Sequence, residues 1–164
     1  VPSGRADASP RWYAWLDSPS RVREGRPVRG DLVGVVGAAL VRDDPPQVLA
    51  SRRTQPPRLA GYWEFPGGKV EPGESDEHAL VRELREELGI EAAVGDRLGG
   101  DLPIGETAVL RVYLCRIVSA SAAGELTLVD HDEHRWLTAA ELDDVPWIEV
   151  DLPLIDELRR LLSP

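Results

Sequence analysis

Methionine is absent from this chain of 164 residues, and cysteine and phenylalanine occur once each. A single thiol, Cys115, excludes an internal disulfide, so stability must come from a buried core, for which the length of one domain suffices. A lone thiol also fits a reducing compartment, and a cytoplasmic location is expected. Cys115 lies in the apolar run AVLRVYLCRIV, where it reads as buried strand filler and not as a nucleophile. No apolar run approaches the ~20 residues of a membrane-crossing helix, so no membrane partner is expected. Positive charge is scarce as well: 19 Lys and Arg stand against 29 Asp and Glu, a net charge of −10. This excludes a nucleic-acid polymer as partner, since that requires a basic surface. A small anionic ligand remains open, because a bound metal inverts the local charge. The chain is expected as a monomer or homodimer; its sequence does not choose between them.

Residues 1–30 differ from the rest. They are rich in Arg, Pro, Ser and Gly, carry a positive balance and lack the apolar core of a secretory signal. They read as a flexible extension that docks through Trp12, Tyr13, Trp15 and Leu16, ahead of one domain over residues 31–164. In that domain LVGVVGAALVR and QVLASRR read as strands joined by a DDPP turn, and WEF as a further short strand. The segment from Glu91 to Val118 reads as strands around Gly-rich turns, and another strand is expected around His134–Leu137. Apolar residues at Leu154, Ile155, Leu158, Leu161 and Leu162 predict a closing helix over 151–162. Mixed strands with two helices imply an α/β (α+β) fold, a three-layer αβα sandwich with a mixed sheet between helices.

The chemistry concentrates in Gly68–Ile90, GKVEPGESDEHALVRELREELGI. A glycine-rich turn feeds a helix predicted from about Ser75 to Leu88, with Ser75 at its N-cap and Gly89 as its C-terminal stop. At roughly 100° per residue, Glu86 and Glu87 flank the direction of Glu83, so the three carboxylates share one face. Leu80, Val81, Leu84 and Leu88 mark the packing stripe. Like charges at that spacing repel, and a hard divalent cation, Mg²⁺ or Mn²⁺, together with phosphate oxygens would compensate them. The alternative is a solvated acidic helix face. Gly67, Gly68 and Gly73 weigh against it, since they permit a tight loop whose carbonyls face a metal.

Gly68, Glu74, Arg82, Glu83, Leu84, Glu86, Glu87, Gly89 and Ile90 match the constrained positions of the Nudix box, and the chain resembles the Nudix hydrolases. That resemblance implies the αβα sandwich and attack of water on a phosphorus of a nucleoside diphosphate linkage. It implies Glu83, Glu86 and Glu87 as metal ligands, with the Gly67 carbonyl as a further candidate. Glu74 and Arg82 are expected to orient the loop and helix. Lys69 either meets phosphate as a point charge or is an exposed loop lysine.

From WEFPGG onwards the likeness narrows to the MutT-type nucleoside triphosphate pyrophosphohydrolases, and most of all to their CTP pyrophosphohydrolase branch. By spacing, Arg53 matches an arginine that approaches the base. Asp130 matches a carboxylate near the metals, a candidate ligand or base beside His131. Asp151 stands where a base-reading Asn is found in MutT. It either reads the base, cytosine N4 by acceptance, or caps the last helix. Tyr113 and Trp147 are candidates for stacking on the base or for core packing. The expected reaction converts a nucleoside triphosphate and water to the monophosphate and pyrophosphate with Mg²⁺, favouring CTP, dCTP or 5-methylated forms. Sanitation of 8-oxo-dGTP is the rival. A catalytically silent nucleotide sensor and isomerase chemistry on an isoprenoid diphosphate are alternatives of other classes.

Overall fold

The computed structural model describes residues 32–120 and 126–163. The expected extension and its docking aromatics lie outside the described residues. Within them the order is β1 (Val33–Asp43), β2 (Pro46–Arg53), β3 (Trp63–Glu64), β4 (Gly67–Lys69), α1 (Asp76–Leu88), β5 (Ile90–Ile104), β6 (Ala108–Ala120), β7 (His131–Leu137) and α2 (Leu152–Leu162). Short 3-10 turns occupy Pro57–Leu59, Leu142–Asp144 and Glu149–Asp151.

The seven strands form one mixed sheet whose main path runs β3-β2-β1-β6-β5, with β4 joined to β1 and β7 to β2. β1 is the spine. Its C-terminal end forms a hairpin with β2, its N-terminal half pairs antiparallel with β4, and its other edge pairs parallel with β6 from Val33–Ala108 to Leu40–Cys115. Side chains alternate across it, as strand geometry requires. Val35 and Ala39 enter the core beneath α2, while Val36, Ala38 and Leu40 enter the core beneath α1. The helices thus cover opposite faces, giving the expected αβα layering.

Two details differ from the sequence expectation. The expected Gly-rich turn stands at Gly105, between β5 and β6, but β5 before it is one long strand without a further turn. Gly95 and the Gly99–Gly100 pair lie where its register against β6 shifts, between Val94 and Arg97 and between Leu98 and Leu102. Gly99 has φ +67°, a conformation that costs glycine little, so these residues bend a strand where a turn was expected. The second concerns α1. Its buried residues are Ala79, Leu80, Leu84, Leu88 and also Glu87, while Val81 is only partly covered. On the ~100° wheel Glu87 lies between Glu83 and the leucine stripe, so one of the three carboxylates sits on the seam with the core.

Candidate active site

Local chemistry fixes α1. Ser75 Oγ accepts from the His78 N–H at 3.2 Å, and Gly89, at φ +67°, ends the helix with its N–H on the Arg85 carbonyl. The loop leading into it is held by Arg82. Its guanidinium donates to both oxygens of Glu74 at 3.0 and 2.9 Å, to Glu83 Oε1 at 2.7 Å and to the Lys69 carbonyl at 3.0 Å. Arg82 therefore joins loop, β4 and helix in one fork, and its hydrogen bond holds the Glu74 carboxyl below its ordinary value. The Lys69 side chain is exposed.

Two glycines in β4 permit close approaches, one to β1 and one to a carboxylate of α1. A Cβ on Gly67 would strike the Val36 carbonyl of β1, and one on Gly68 would fall inside the Glu83 carboxylate. Gly67 therefore lets β4 lie against β1, and Gly68 keeps open the space beside Glu83 of α1.

Glu64, which sequence reasoning passed over, joins the glutamates of α1. Trp63 and Phe65 on either side of it belong to the core beneath α2, so alternation turns Glu64 toward α1. There it is buried between Arg53, whose Nη1 donates to Oε2 at 2.7 Å, and His131, whose Nε2 meets Oε1 at 3.0 Å. The signal for it was a carboxylate between two aromatics in WEF, leading straight into the motif.

These charges act on one another. Burial first, then Glu64, Glu83 and Asp130, push the Glu87 carboxyl well above its ordinary value; a backbone hydrogen bond from Gly67 opposes them. Glu87 Oε2 is buried without a hydrogen-bond partner. Burial also raises Glu83, against the pull of Arg82, and raises Asp130, with Glu64 adding to the push. Glu86 is exposed, 59 % of its side chain reaching solvent, and lies 3.6 Å from Arg82. Among the described residues no three acidic, histidine or cysteine side chains are already gathered into a ligand cage. What fits a divalent ion is the donor chemistry: hard carboxylate oxygens, an orphaned buried oxygen on Glu87, and the room that Gly68 leaves beside Glu83.

Asp151 lies in the turn before α2, close enough to Glu64 for the two charges to interact. It is 1 % exposed and accepts the Phe65 N–H at 3.1 Å, so it ties the turn before α2 to the residue that follows β3, and it makes no side-chain cap on α2. Burial and then Glu64 raise its carboxyl well above the ordinary value. The two aromatic candidates are not brought together. Trp147 packs on Phe65 with ring centroids 5.0 Å apart and donates Nε1–H to the Leu142 carbonyl in the core beneath α2. Tyr113 lies on the α1 side of the sheet and donates its hydroxyl to Asp76 at 2.8 Å.

A NUDIX domain model matches residues 32–158, which include every residue of this site. The chain belongs to the Nudix family. As a Nudix hydrolase it acts on nucleotide diphosphate linkages. It is 46 % identical over 132 residues to the "Putative 8-oxo-dGTP diphosphatase 2" of Mycobacterium tuberculosis, covering 79 % of this chain and 89 % of that one. It is 35 % identical over 130 residues to the CTP pyrophosphohydrolase of Escherichia coli, covering 79 % and 93 %. Among solved structures, the E. coli ORF135 protein superposes with a TM-score of 0.65 at 34 % identity, over 81 % of this chain and 92 % of that one. Nudix hydrolases generally use a divalent metal, usually Mg²⁺. None of the described helices is long and apolar enough to cross a membrane.

Proposed function

We propose that this Nudix hydrolase is a nucleoside triphosphate pyrophosphohydrolase, releasing monophosphate and pyrophosphate, with cytosine nucleotides, including dCTP and 5-methylated forms, as preferred substrates. The observation that carries the reaction type is the buried, unpartnered Glu87 oxygen among Glu64, Glu83 and Asp130. Glu83, Glu86, Glu87 and the Gly67 carbonyl would hold Mg²⁺, or Mn²⁺ in its place. Once bound, the ion supplies charge neutralisation for the phosphoryl oxygens and a more acidic water. The protein's own residues do the rest. Asp130, outside that ligand set and raised by burial, suits the role of proton acceptor for the attacking water, with one of the glutamates, Glu87, as the alternative. Lys69, exposed beside the glycine turn, meets the phosphates as they arrive. Arg82 and Glu74 keep the loop and helix in register. Glu64 holds the Arg53 guanidinium in place at the base end.

Base preference rests on the Asp151 carboxyl. Burial favours its neutral form, which has one donor and one acceptor. Cytosine presents an amino donor beside a ring acceptor and matches that acid. The edge of 8-oxoguanine presents two adjacent donors and matches the carboxylate instead. A second reading, 8-oxo-dGTP hydrolysis, is favoured by the 46 % identical relative named for that substrate. Pyrophosphate release with Mg²⁺ over CTP, dCTP, 5-methyl-dCTP, 8-oxo-dGTP, dGTP and ADP-ribose tests both. Dominant cytosine turnover is expected. Dominant 8-oxo-dGTP turnover would establish the second reading, and silence on every compound would leave a nucleotide sensor.

A further inference from the structure

Asp130 sits in the segment that enters β7, and that segment is strapped down at Thr127. The Thr127 N–H donates to the carbonyl of Leu88, the residue after Glu87, at 3.1 Å. Its hydroxyl packs on the glycine that ends α1, 2.9 Å from where a Cβ on Gly89 would stand. The Thr127 carbonyl, in turn, is held by His134 Nε2 at 3.0 Å. A carbonyl only accepts, so Nε2 carries the hydrogen, and in the neutral ring Nδ1 accepts from Ser51 Oγ at 2.9 Å. Ser51 is fully buried in β2, flanked across the sheet by Glu64 of β3 and by His134 of β7. One line of hydrogen bonds thus runs from the sheet interior through Ser51, His134 and Thr127 to the C-terminal end of α1. Asp130 lies three residues past the anchored threonine, its own carbonyl bonded to Thr54 Oγ1 at 3.1 Å.

We propose that His134 is a positioning residue, fixing Thr127 against the end of α1 and so holding the Asp130 carboxylate at its distance from Glu87. The imidazole has both ring nitrogens engaged, one by Ser51 and the other by the Thr127 carbonyl. It acts through the backbone it holds, as outer partners of metal-site ligands do. The inference rests on Asp130 being an active-site carboxylate.

The test is a double-mutant cycle on the full chain, following kcat/KM for pyrophosphate release with Mg²⁺ and, independently of turnover, the affinity for Mn²⁺ without substrate. His134→Ala is expected to lower both by about tenfold with unchanged circular dichroism. His134→Gln, whose amide offers a donor to the Thr127 carbonyl, should restore most of the loss. In an Asp130→Asn background, already impaired, adding His134→Ala should cost about twofold or less, because coupled residues are not additive. Wild-type values for His134→Ala beside an impaired Asp130→Asn would overturn the positioning role and leave Asp130 in the site. Full additivity in the double variant would overturn it too. Wild-type turnover by Asp130→Asn alone would remove Asp130 from the site and the inference with it. Should His134→Ala not fold, Ser51→Ala removes one hydroxyl from the same line and carries the same cycle.

Discussion

At the scale of single residues, burial pushes three carboxyls of the site, Glu83, Glu87 and Asp130, upward together. Glu87 is the centre of that set, and it makes two opposed demands. Glu87→Gln is expected to cost on the order of a hundredfold in turnover by pyrophosphate release, the upper end of what groups supporting a metal centre contribute and fitting for a ligand itself. The same change should raise the melting temperature in chelator at neutral pH, since it removes a buried carboxyl that the folded chain must keep protonated or bury as a charge. The sign follows from linkage. Below the ordinary carboxylate value, near 4.5, Glu87 is protonated folded and unfolded alike, and the variant has no advantage. As pH rises from there toward the raised folded value, only the unfolded chain releases its proton. Wild type therefore loses stability relative to Gln, and the gap levels off above that value. Asp151 carries a second pH signature. Raising the pH through its elevated value should shift the kcat/KM ratio of dCTP to 8-oxo-dGTP toward the guanine nucleotide, and Asp151→Asn should flatten that dependence. An unchanged ratio in the variant would confine Asp151 to its bond with Phe65.

At the scale of elements, α1 and β4 work as one part, because the helix face is usable only where glycine lies against it. Gly68→Ala is expected to leave a folded protein of much lower activity, with the new methyl group displacing the Glu83 carboxylate. Ser75→Ala, in contrast, removes one cap bond and should cost about 1 kcal/mol in denaturant unfolding with kcat nearly unchanged. Elements of this kind were legible in the sequence because period, caps and stops are local: the Ser75 cap, the Gly89 stop and the apolar run of β1 all stand where the pattern put them. The bends of β5 were not, since glycine marks a bulge and a turn with the same letters. Partnership across the sheet was no more legible. That Glu64 meets Arg53 and His131, that Asp151 reaches the Phe65 N–H, and that Tyr113 and Trp147 lie on opposite faces all depend on pairing between segments distant in the chain.

At the scale of the molecule, a fold carrying a crowded set of acids should respond to divalent ions as a whole. Mg²⁺ titrated at neutral pH is expected to raise the melting temperature progressively, as any ligand of the native state does. The rise should shrink as the pH is lowered, because the raised carboxyls take up protons, which compete with the ion, sooner than ordinary ones do. The family match spans residues 32–158, so a chain starting at residue 31 is expected to keep its turnover. A collapse in activity would make the preceding segment part of the domain. The buried thiol of Cys115 offers a different use. It lies in β6 beneath α1, 1 % exposed, and burial pushes its pKa up to about 12. With no second cysteine anywhere in the chain, a thiol-specific label has one target, and that target is unreactive until the sheet parts from the helix. The rate of labelling would then clock the opening of the layer that carries the glutamates, and its slowing by Mg²⁺ or nucleotide would measure ligand binding without any turnover.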